Sequence, residues 1–262
     1  MQKYSLTAEL LSEFLGTMIL LLFGNGVVAM VVLFGHGNPG EIVNGGFTNI
    51  TLAWGIGVAL AVYVSGRISG GHLNPAVTLS LAVFRGFAWK KVVPYMAAQV
   101  AGAFAGALAV YWEYRPQLNV VDPLRDHTAG VFTTFPAFPN IPVAGLYDQI
   151  LGTALLLIII LAVTDDRNMA PTGNLSPILV GLGVVVIGMS FGSLYGYAIN
   201  PARDFGPRLV TVLTGYSKNG LTDGSNAFWI PIIGPLVGGL IGTFVYDQLV
   251  RRWLTKPETV IE

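Results

Sequence analysis

The sequence contains no cysteine, few histidines and little charge. The lack of cysteine excludes disulfides, thiolate chemistry and cysteine-ligated metals. His36, His72 and His127 lie far apart and form no metal-binding spacing, so we expect no metal and no cofactor. Only 11% of the 262 residues are charged, against about 25% in an average soluble domain, and the formal net charge is zero. This neutral balance argues against a nucleic-acid partner, which would require a basic patch.

Apolar residues make up 53% of the chain, and they are grouped in long stretches without charge. Spanning the hydrocarbon core of a bilayer takes roughly 20 such residues. The first stretch is too long for a signal peptide and is followed by others, so it should stay in the mature protein. The pattern predicts an integral membrane protein with six spans, at about 14–34, 47–66, 92–112, 149–164, 175–190 and 227–246.

A repeated triplet gives the first indication of function; it occurs as Asn74-Pro75-Ala76 and Asn200-Pro201-Ala202. Asparagine is among the best helix N-caps and proline is favoured at the first helical position, so each triplet predicts a helix start. Only about ten apolar residues follow either start, which predicts two half-helices rather than spans. Non-helical backbone at membrane depth is tolerated only where it is buried in protein or lines a water-filled cavity. Two such starts indicate a polar path.

The half-helices divide the chain into similar halves, since each lies between the second and third span of its half. Three spans are an odd number, so the second half must enter the membrane in the opposite direction, as an inverted repeat. We expect an all-α membrane protein with six transmembrane helices plus two half-helices. The single transmembrane domain, residues 1–262, would comprise repeats at about 5–112 and 144–252 and an external loop at about 113–143.

Lysine and arginine are biased toward one side of this topology, which predicts that both termini are cytoplasmic. The inner set would be Lys3, Arg67, Arg85, Lys90, Lys91, Arg167, Arg251, Arg252 and Lys256, and the outer set Arg115, Arg125, Arg203, Arg208 and Lys218. The external loop is either a lid or vestibule wall, or a plain connector. Glycines at four-residue spacing, such as Gly102 and Gly106 or Gly238 and Gly242, predict close helix packing.

Three segments together resemble the signature of the major intrinsic proteins, the aquaporin family, over nearly the whole chain. They are Glu13-Phe14-Leu15-Gly16-Thr17, the run from Ser69 to Thr78, and the run from Gly196 to Arg208. One Asn-Pro-Ala triplet arises by chance, but two, each preceded by two long spans and the second followed by Arg203, are highly specific. Asp204, Arg208 and Pro235-Leu236 resemble the glycerol-conducting branch, the aquaglyceroporins or glycerol facilitators.

The resemblance implies an aquaporin-like fold, a central pore at the two triplets and a selectivity filter at Trp54, Gly188, Tyr197 and Arg203. Water-selective relatives commonly have histidine at the position of Gly188, where an imidazole would fill space that a polyol carbon chain needs. Tyr197 departs from the phenylalanine of the best-known bacterial facilitator, and its hydroxyl could add a polar contact.

The chemistry of these residues suits a solute with a hydroxyl edge and a hydrocarbon edge. Arg203 offers five N–H donors in a fixed fork and keeps its charge, while Trp54 and Tyr197 would form an apolar corner opposite. The amides of Asn74 and Asn200 would donate to passing oxygens, and the positive half-helix ends would repel cations.

Simpler interpretations stand beside each of these roles. Arg203 could be the partner of a carboxylate. Trp54, Gly188 and Tyr197, taken without the resemblance, indicate lipid contact, helix packing and interfacial anchoring. His72 is either pore wall or a satisfied turn residue.

Three further residues are expected to support the pore rather than line it. Asp204 is expected to shape its loop, pairing with Arg208, more than to touch solute. The resemblance suggests that Glu13 braces the first broken-helix loop through backbone N–H groups. At the matching position of the second half stands Gln149, where the family usually has glutamate; an amide oxygen can still accept.

These inferences predict a passive channel, without enzyme activity, for glycerol and other small neutral polyols, with water as a second permeant. The alternative from another class is an ion-coupled secondary transporter, whose ion or proton site would be Glu13. No nucleophile, base and orienting group are recognisable together, which argues against a membrane enzyme. We expect a multi-pass protein of the plasma membrane, and the resemblance implies a homotetramer with one pore in each protomer.

Overall fold

The computed structural model describes residues 4–35 and 42–255, and these ranges are helical, with no strand. His36, Lys3 and Lys256, which entered the sequence predictions, lie outside them. The α-helices of the described ranges are α1 (Leu6–Leu33), α2 (Gly46–Ser69), α3 (Pro75–Phe84), α4 (Trp89–Val121), α5 (Pro142–Thr164), α6 (Ser176–Phe191), α7 (Pro201–Leu213) and α8 (Ile230–Leu249). Short 3-10 turns occupy Ala129–Val131, Ala227–Trp229 and Arg251–Trp253. The predicted all-α membrane fold class is confirmed.

Five helices of the described chain, α1, α2, α4, α5 and α8, are long and apolar enough to cross a membrane. The remaining predicted span, α6, is apolar but has only 16 residues. A helix of that length rises about 24 Å, less than the roughly 30 Å of a hydrocarbon core. It ends at Phe191, and from Gly192 the chain turns toward the second Asn-Pro-Ala triplet.

Both half-helices begin where the triplets predict. The side-chain oxygen of Asn74 accepts from the N–H of Ala76 at 2.9 Å, and that of Asn200 accepts from Ala202 at 3.0 Å and Arg203 at 3.2 Å. These bonds satisfy N–H groups that no helical carbonyl can reach. The helices are 10 and 13 residues long, so each ends well short of a full span.

The two halves of the chain pack alike and interlock. The first helix of each half packs against the second and the third long helix of that half, so α1 contacts α2 and α4, and α5 contacts α6 and α8. Each half-helix packs against the last long helix of the other half, with α3 on α8 and α7 on α4. Neither half can therefore bury its half-helix without the other.

The helix α4 extends nine residues beyond the predicted end at residue 112, to Val121, so the loop predicted to begin at 113 starts only at Asp122. The extension is held by packing, because Leu118 is buried in a cluster with Leu33 and Phe132. Arg125 then donates to the carbonyl of Leu118 at 3.1 Å, which pairs a carbonyl at the helix end.

The loop between α4 and α5, which the sequence predicts to be external, is packed into the protein rather than lying on its surface. The amide of Asn25 on α1 donates to the carbonyls of Val131 and Phe132, each at 2.9 Å. Asp122 is stabilised as a carboxylate by hydrogen bonds from residues 126–128. Burial alone would raise its pKa, but these donors outweigh the effect of burial and lower the pKa to about 2. The loop is a fixed part of the fold.

The four-residue glycine spacings mark backbone contacts between helices, as predicted. A Cβ on Gly102 would lie 2.2 Å from the carbonyl oxygen of Phe14, and one on Gly242 would lie 2.2 Å from that of Ala154. The α1–α4 and α5–α8 contacts are thus made through glycine faces.

We expect Gly102→Ala to lower thermal stability in detergent, because α1 and α4 must move apart to admit the methyl group, at a cost of about 1–3 kcal/mol. Gly26→Ala is the matched control, since a Cβ there meets no atom within 4 Å. The control should be neutral or slightly stabilising, because alanine is the better helix former by about 1 kcal/mol. Equal melting temperatures for the two variants would contradict the contact.

Candidate functional site

A cavity of about 860 Å³ lies between α2, α5, α6 and the two loops that precede the half-helices. Arg67, Thr164 and Asn174 line one end, and Trp54 and Arg203 line the other. Between the ends the wall is mostly aliphatic, for example Val58, Val62, Leu156, Ile160 and Val184. The cavity brings together six of the predicted site residues: Trp54, His72, Asn74, Tyr197, Asn200 and Arg203.

At the centre, the half-helices are joined by a pair of crossed hydrogen bonds. Nδ2 of Asn74 donates to the carbonyl of Ile199 at 2.9 Å, and Nδ2 of Asn200 donates to the carbonyl of Leu73 at 2.8 Å. Each asparagine thus caps its own helix with its oxygen and holds the opposite loop with its nitrogen. An amide nitrogen carries two hydrogens, so one N–H of each asparagine is left for the cavity that both residues line.

The loops pay for this arrangement in backbone strain. Leu73 and Ile199 both have positive φ, 51° and 44°, which is rare for a leucine and an outlier for a β-branched isoleucine. The left-handed conformation turns the carbonyl of each residue toward the asparagine of the other half. Strain of this kind persists only where surrounding contacts enforce it, and it is typical of functional sites.

Arg203 lies in the first turn of α7. Its guanidinium is over the Trp54 ring, 4.2 Å from the ring centroid. Its Nη1 is buried and has no hydrogen-bond partner among residues 4–35 and 42–255. The arginine is therefore not the partner of a carboxylate in the part of the chain that the structure describes, which was the simpler interpretation of it.

Tyr197 presents a second unpaired group. Its hydroxyl is buried and also lacks a partner within the described chain. Its ring meets Phe47 edge-on, with centroids 6.2 Å apart. An unpaired buried donor costs about 1–3 kcal/mol, so a water or a solute hydroxyl that enters this end of the cavity would relieve the cost.

Gly188 lies on α6 but does not line the cavity, unlike the other three predicted filter residues. A Cβ on Gly188 would lie 2.9 Å from Cε2 and Cζ of Tyr197. The tyrosine ring occupies the space beside the glycine and presents its own surface instead. Gly188 therefore leaves room for the Tyr197 ring.

Glu13 is fully buried near the start of α1 and accepts four hydrogen bonds. Oε1 accepts from the Ser69 hydroxyl at 2.6 Å and the His72 N–H at 2.9 Å, and Oε2 accepts from the Leu73 N–H at 2.7 Å and Nε2 of Gln99 at 2.8 Å. These contacts have the form of the predicted brace. They also leave the carboxylate off the cavity wall.

His72 lies on the cavity wall and is also held by the turn, so the two interpretations of it hold together. Its Nδ1 lies 3.1 Å from the hydroxyl of Thr78, which donates to the Asn74 carbonyl and accepts from Gln99. The Thr78 hydroxyl thus links the His72 ring to the Asn74 carbonyl and to Gln99.

Gln149 makes the equivalent contact in the second half. Its Oε1 accepts from the Ile199 N–H at 2.8 Å, as Oε2 of Glu13 does from Leu73. The amide therefore replaces the carboxylate as an acceptor, although it contacts one backbone N–H where Glu13 contacts two.

Asp204 is buried away from the cavity and pairs with Arg208, as predicted, at 2.8 Å. It also accepts from the N–H and hydroxyl of Thr134 and the hydroxyl of Thr133. Arg208 in turn donates to the carbonyls of Thr134 and Asn219, each at 2.7 Å. The pair thus fastens two loops to the half-helix that carries Arg203.

The other triplet residues and several unpredicted ones support the wall from behind. Pro75, Ala76, Pro201 and Ala202 are buried at the starts of α3 and α7 and do not line the cavity. Sequence reasoning missed Thr78, Gln99 and Thr134. The first two carried a usable signal, because Thr78 lies one helical turn after Asn74 and Gln99 is a polar residue within an apolar span.

A polytopic helical membrane protein, with two half-helices that meet at the wall of a polar-centred cavity, is the class that the fold and site define. The chain belongs to the Major intrinsic protein family, whose model matches residues 1–246.

Several similar proteins are named as aquaglyceroporins or glycerol facilitators. The chain is 45% identical to "Aquaglyceroporin-2" of Rhizophagus irregularis, over 92% of this chain and 77% of that protein. It is 40% identical to the "Glycerol uptake facilitator protein" of Escherichia coli K12, over 100% of this chain and 94% of that one. The structure is similar to the X-ray structure of the aquaglyceroporin from Plasmodium falciparum, with a TM-score of 0.83 and 31% sequence identity. The match covers 94% of this chain and 97% of that one.

We expect Asp204→Asn to lower the thermal stability of the protein strongly, because it leaves the fully buried Arg208 without its countercharge, at a cost of about 3–5 kcal/mol. Asp247→Asn is the control, since it breaks the ion pair with Arg85, whose side chains are about one-fifth exposed. A pair of that exposure contributes about 1 kcal/mol or less. Similar melting-temperature losses in both variants would contradict the role assigned to the buried pair.

Proposed function

We propose that the protein is a passive channel for glycerol and other small neutral polyols, with water as a second permeant. The observation that carries this proposal is that one end of the cavity has both polar donors and an apolar ring on its wall. Unpaired donors of Arg203 and Tyr197 line the same cavity as the apolar ring of Trp54. A polyol has hydroxyls for the former and C–H groups for the latter, and a channel must satisfy both without binding tightly.

The charges around the cavity disfavour cations. Among the described residues, the ionisable groups on the wall are basic or phenolic: Tyr63, Arg67, His72, Tyr197 and Arg203. No carboxylate of these residues lines it, and the half-helix starts at Asn74 and Asn200 add about half a positive charge each. This field opposes cation entry.

The same observations favour a channel over an ion-coupled transporter. Glu13 was the expected coupling site, but its oxygens accept four internal hydrogen bonds and lie off the wall. A carboxylate so committed cannot bind and release an ion without breaking the loop it braces. The names of the similar proteins, aquaglyceroporin and glycerol uptake facilitator, support the choice of glycerol.

The wider setting belongs to the same proposal. We propose a non-catalytic homotetramer in the plasma membrane, with one pore in each protomer and both termini in the cytoplasm. The basic residues near the Arg67 end of the cavity, including Arg85, Lys90, Lys91 and Arg167, support that side as cytoplasmic. The single polypeptide would then be one domain of two inverted repeats.

The direct test is light scattering of proteoliposomes after a glycerol gradient is imposed. We expect glycerol flux with a low activation energy that is unchanged by ionophores collapsing sodium or proton gradients, because the path offers no coupling site. Empty liposomes supply the baseline. Glycerol accumulation against its gradient, driven by an ion gradient, would replace the channel by the transporter.

We expect Gly188→Ala to reduce glycerol flux more than water flux. The added methyl must displace the Tyr197 ring, 2.9 Å away, and the ring borders the part of the cavity that the solute carbons need. Gly26→Ala on α1 is the control, because a Cβ there meets no atom within 4 Å. Flux measurements on correctly assembled protein decide this: equal proportional losses of glycerol and water would remove Gly188 and Tyr197 from the selective region.

A further inference from the structure

A second buried carboxylate lies next to the brace of the second half. Asp148 precedes Gln149 on α5, is only 5% exposed and does not line the cavity. Its Oδ2 accepts from Nε2 of Gln149 at 3.1 Å. Burying a carboxylate in an apolar span costs free energy, so such residues usually have a structural or functional role. Asp148 is not part of the cavity wall or of the ion pairs of the described chain.

The task follows from the two-sided chemistry of Gln149. A glutamine amide presents an acceptor on one side and two donors on the other, and only the acceptor can meet the N–H of Ile199. Asp148 lies against the donor side, where an ionised carboxylate can only accept. The carbonyl of Tyr195 lies on that side too, at the longer distance of 3.5 Å. The carboxylate therefore holds the amide in the orientation that pairs Ile199.

Ile199 passes this constraint to the centre of the protein. Its N–H is held by Gln149, and its carbonyl accepts from Asn74 at 2.9 Å. A flipped Gln149 amide would face the Ile199 N–H with its own donors and release one end of this strained residue. The crossed hydrogen bond to Asn74 would then lose its fixed acceptor.

The first half performs the same task without a relay. Glu13 accepts directly from the Leu73 N–H, and the residue before it, Ser12, donates to the carbonyl of Ser65 instead. In the second half the carboxylate stands one residue earlier and acts through a neutral amide. The negative charge absent from position 149 is thus supplied at position 148.

We propose that Asp148 is a positioning residue of the channel, which orients the Gln149 amide and through it the loop before Asn200. This inference rests on the proposed function for its flux readout. It predicts a specific pattern of rescue, because a glutamate at 149 would accept from Ile199 directly and would not need Asp148.

The experiment measures glycerol flux for Asp148→Ala, Gln149→Glu and the double variant that carries both. We expect Asp148→Ala to lose about five- to tenfold, as for one buried hydrogen bond. Gln149→Glu alone should also lose flux, because it places two carboxylates side by side in a buried site. The double variant should return to within about twofold of the parent. Gln149→Glu would then lower flux in the parent but raise it in the Asp148→Ala variant.

Two further variants complete the set. Asp148→Asn keeps an acceptor of similar shape and should lie between the parent and Asp148→Ala, and it preserves the test if the alanine variant does not fold. Ser12→Ala, at the corresponding position of the first half, should leave flux unchanged. Melting temperatures of the variants at positions 148 and 149 should follow the same order as their fluxes, independently of any solute.

The outcomes separate this inference from the proposed function. A parent protein that conducts no glycerol contradicts the proposed function, and the melting-temperature order then decides the role of Asp148. A conducting parent with a double variant as impaired as Asp148→Ala makes Asp148 a packing residue and overturns the inference. Parent-like flux in Asp148→Ala overturns it too.

Discussion

The structure depends on one reciprocal contact, the crossed hydrogen bonds between Asn74 and the Ile199 carbonyl and between Asn200 and the Leu73 carbonyl. Two helices start inside the membrane, where unpaired backbone groups are expensive. Each start is capped by its own asparagine oxygen, and each strained loop is held by the asparagine nitrogen of the other half. Each asparagine side chain thus pairs backbone groups of both halves and keeps one N–H donor for the solute path.

Everything around this contact serves to keep the two loops in place. Glu13 on one side and Gln149 on the other accept the loop N–H groups, and the buried pair of Asp204 and Arg208 fastens the external loops to α7. Glycine faces let the long helices approach closely enough to enclose this polar interior. The cavity wall is the inner surface of that framework, so its selectivity follows from the positions of side chains whose backbone cannot move freely.

Much of this could be predicted, because the membrane limits the choices. Apolar length predicted the long helices, and cap chemistry predicted the two half-helix starts to the residue. The end of α4 was not predictable, since Leu118 and Arg125 extend the helix through tertiary contacts. The close approach of the Tyr197 ring to Gly188 was not predictable either, since only the packing of α6 against a distant loop reveals it. The role proposed for Asp148 could not be predicted, because the orientation of the Gln149 amide that it contacts cannot be inferred from a sequence.

We infer that solute passes beside the Arg203 guanidinium and the Trp54 ring, which lie in contact with each other, and then beside the two asparagines. This can be tested with a cryo-EM map of the protein in lipid nanodiscs with glycerol. We expect a glycerol with hydroxyls within hydrogen-bonding distance of the Arg203 guanidinium and its carbon edge against Trp54, and further density beside Asn74 and Asn200. A well-resolved map with glycerol bound elsewhere, and the space beside these four residues empty of both glycerol and water, would contradict it.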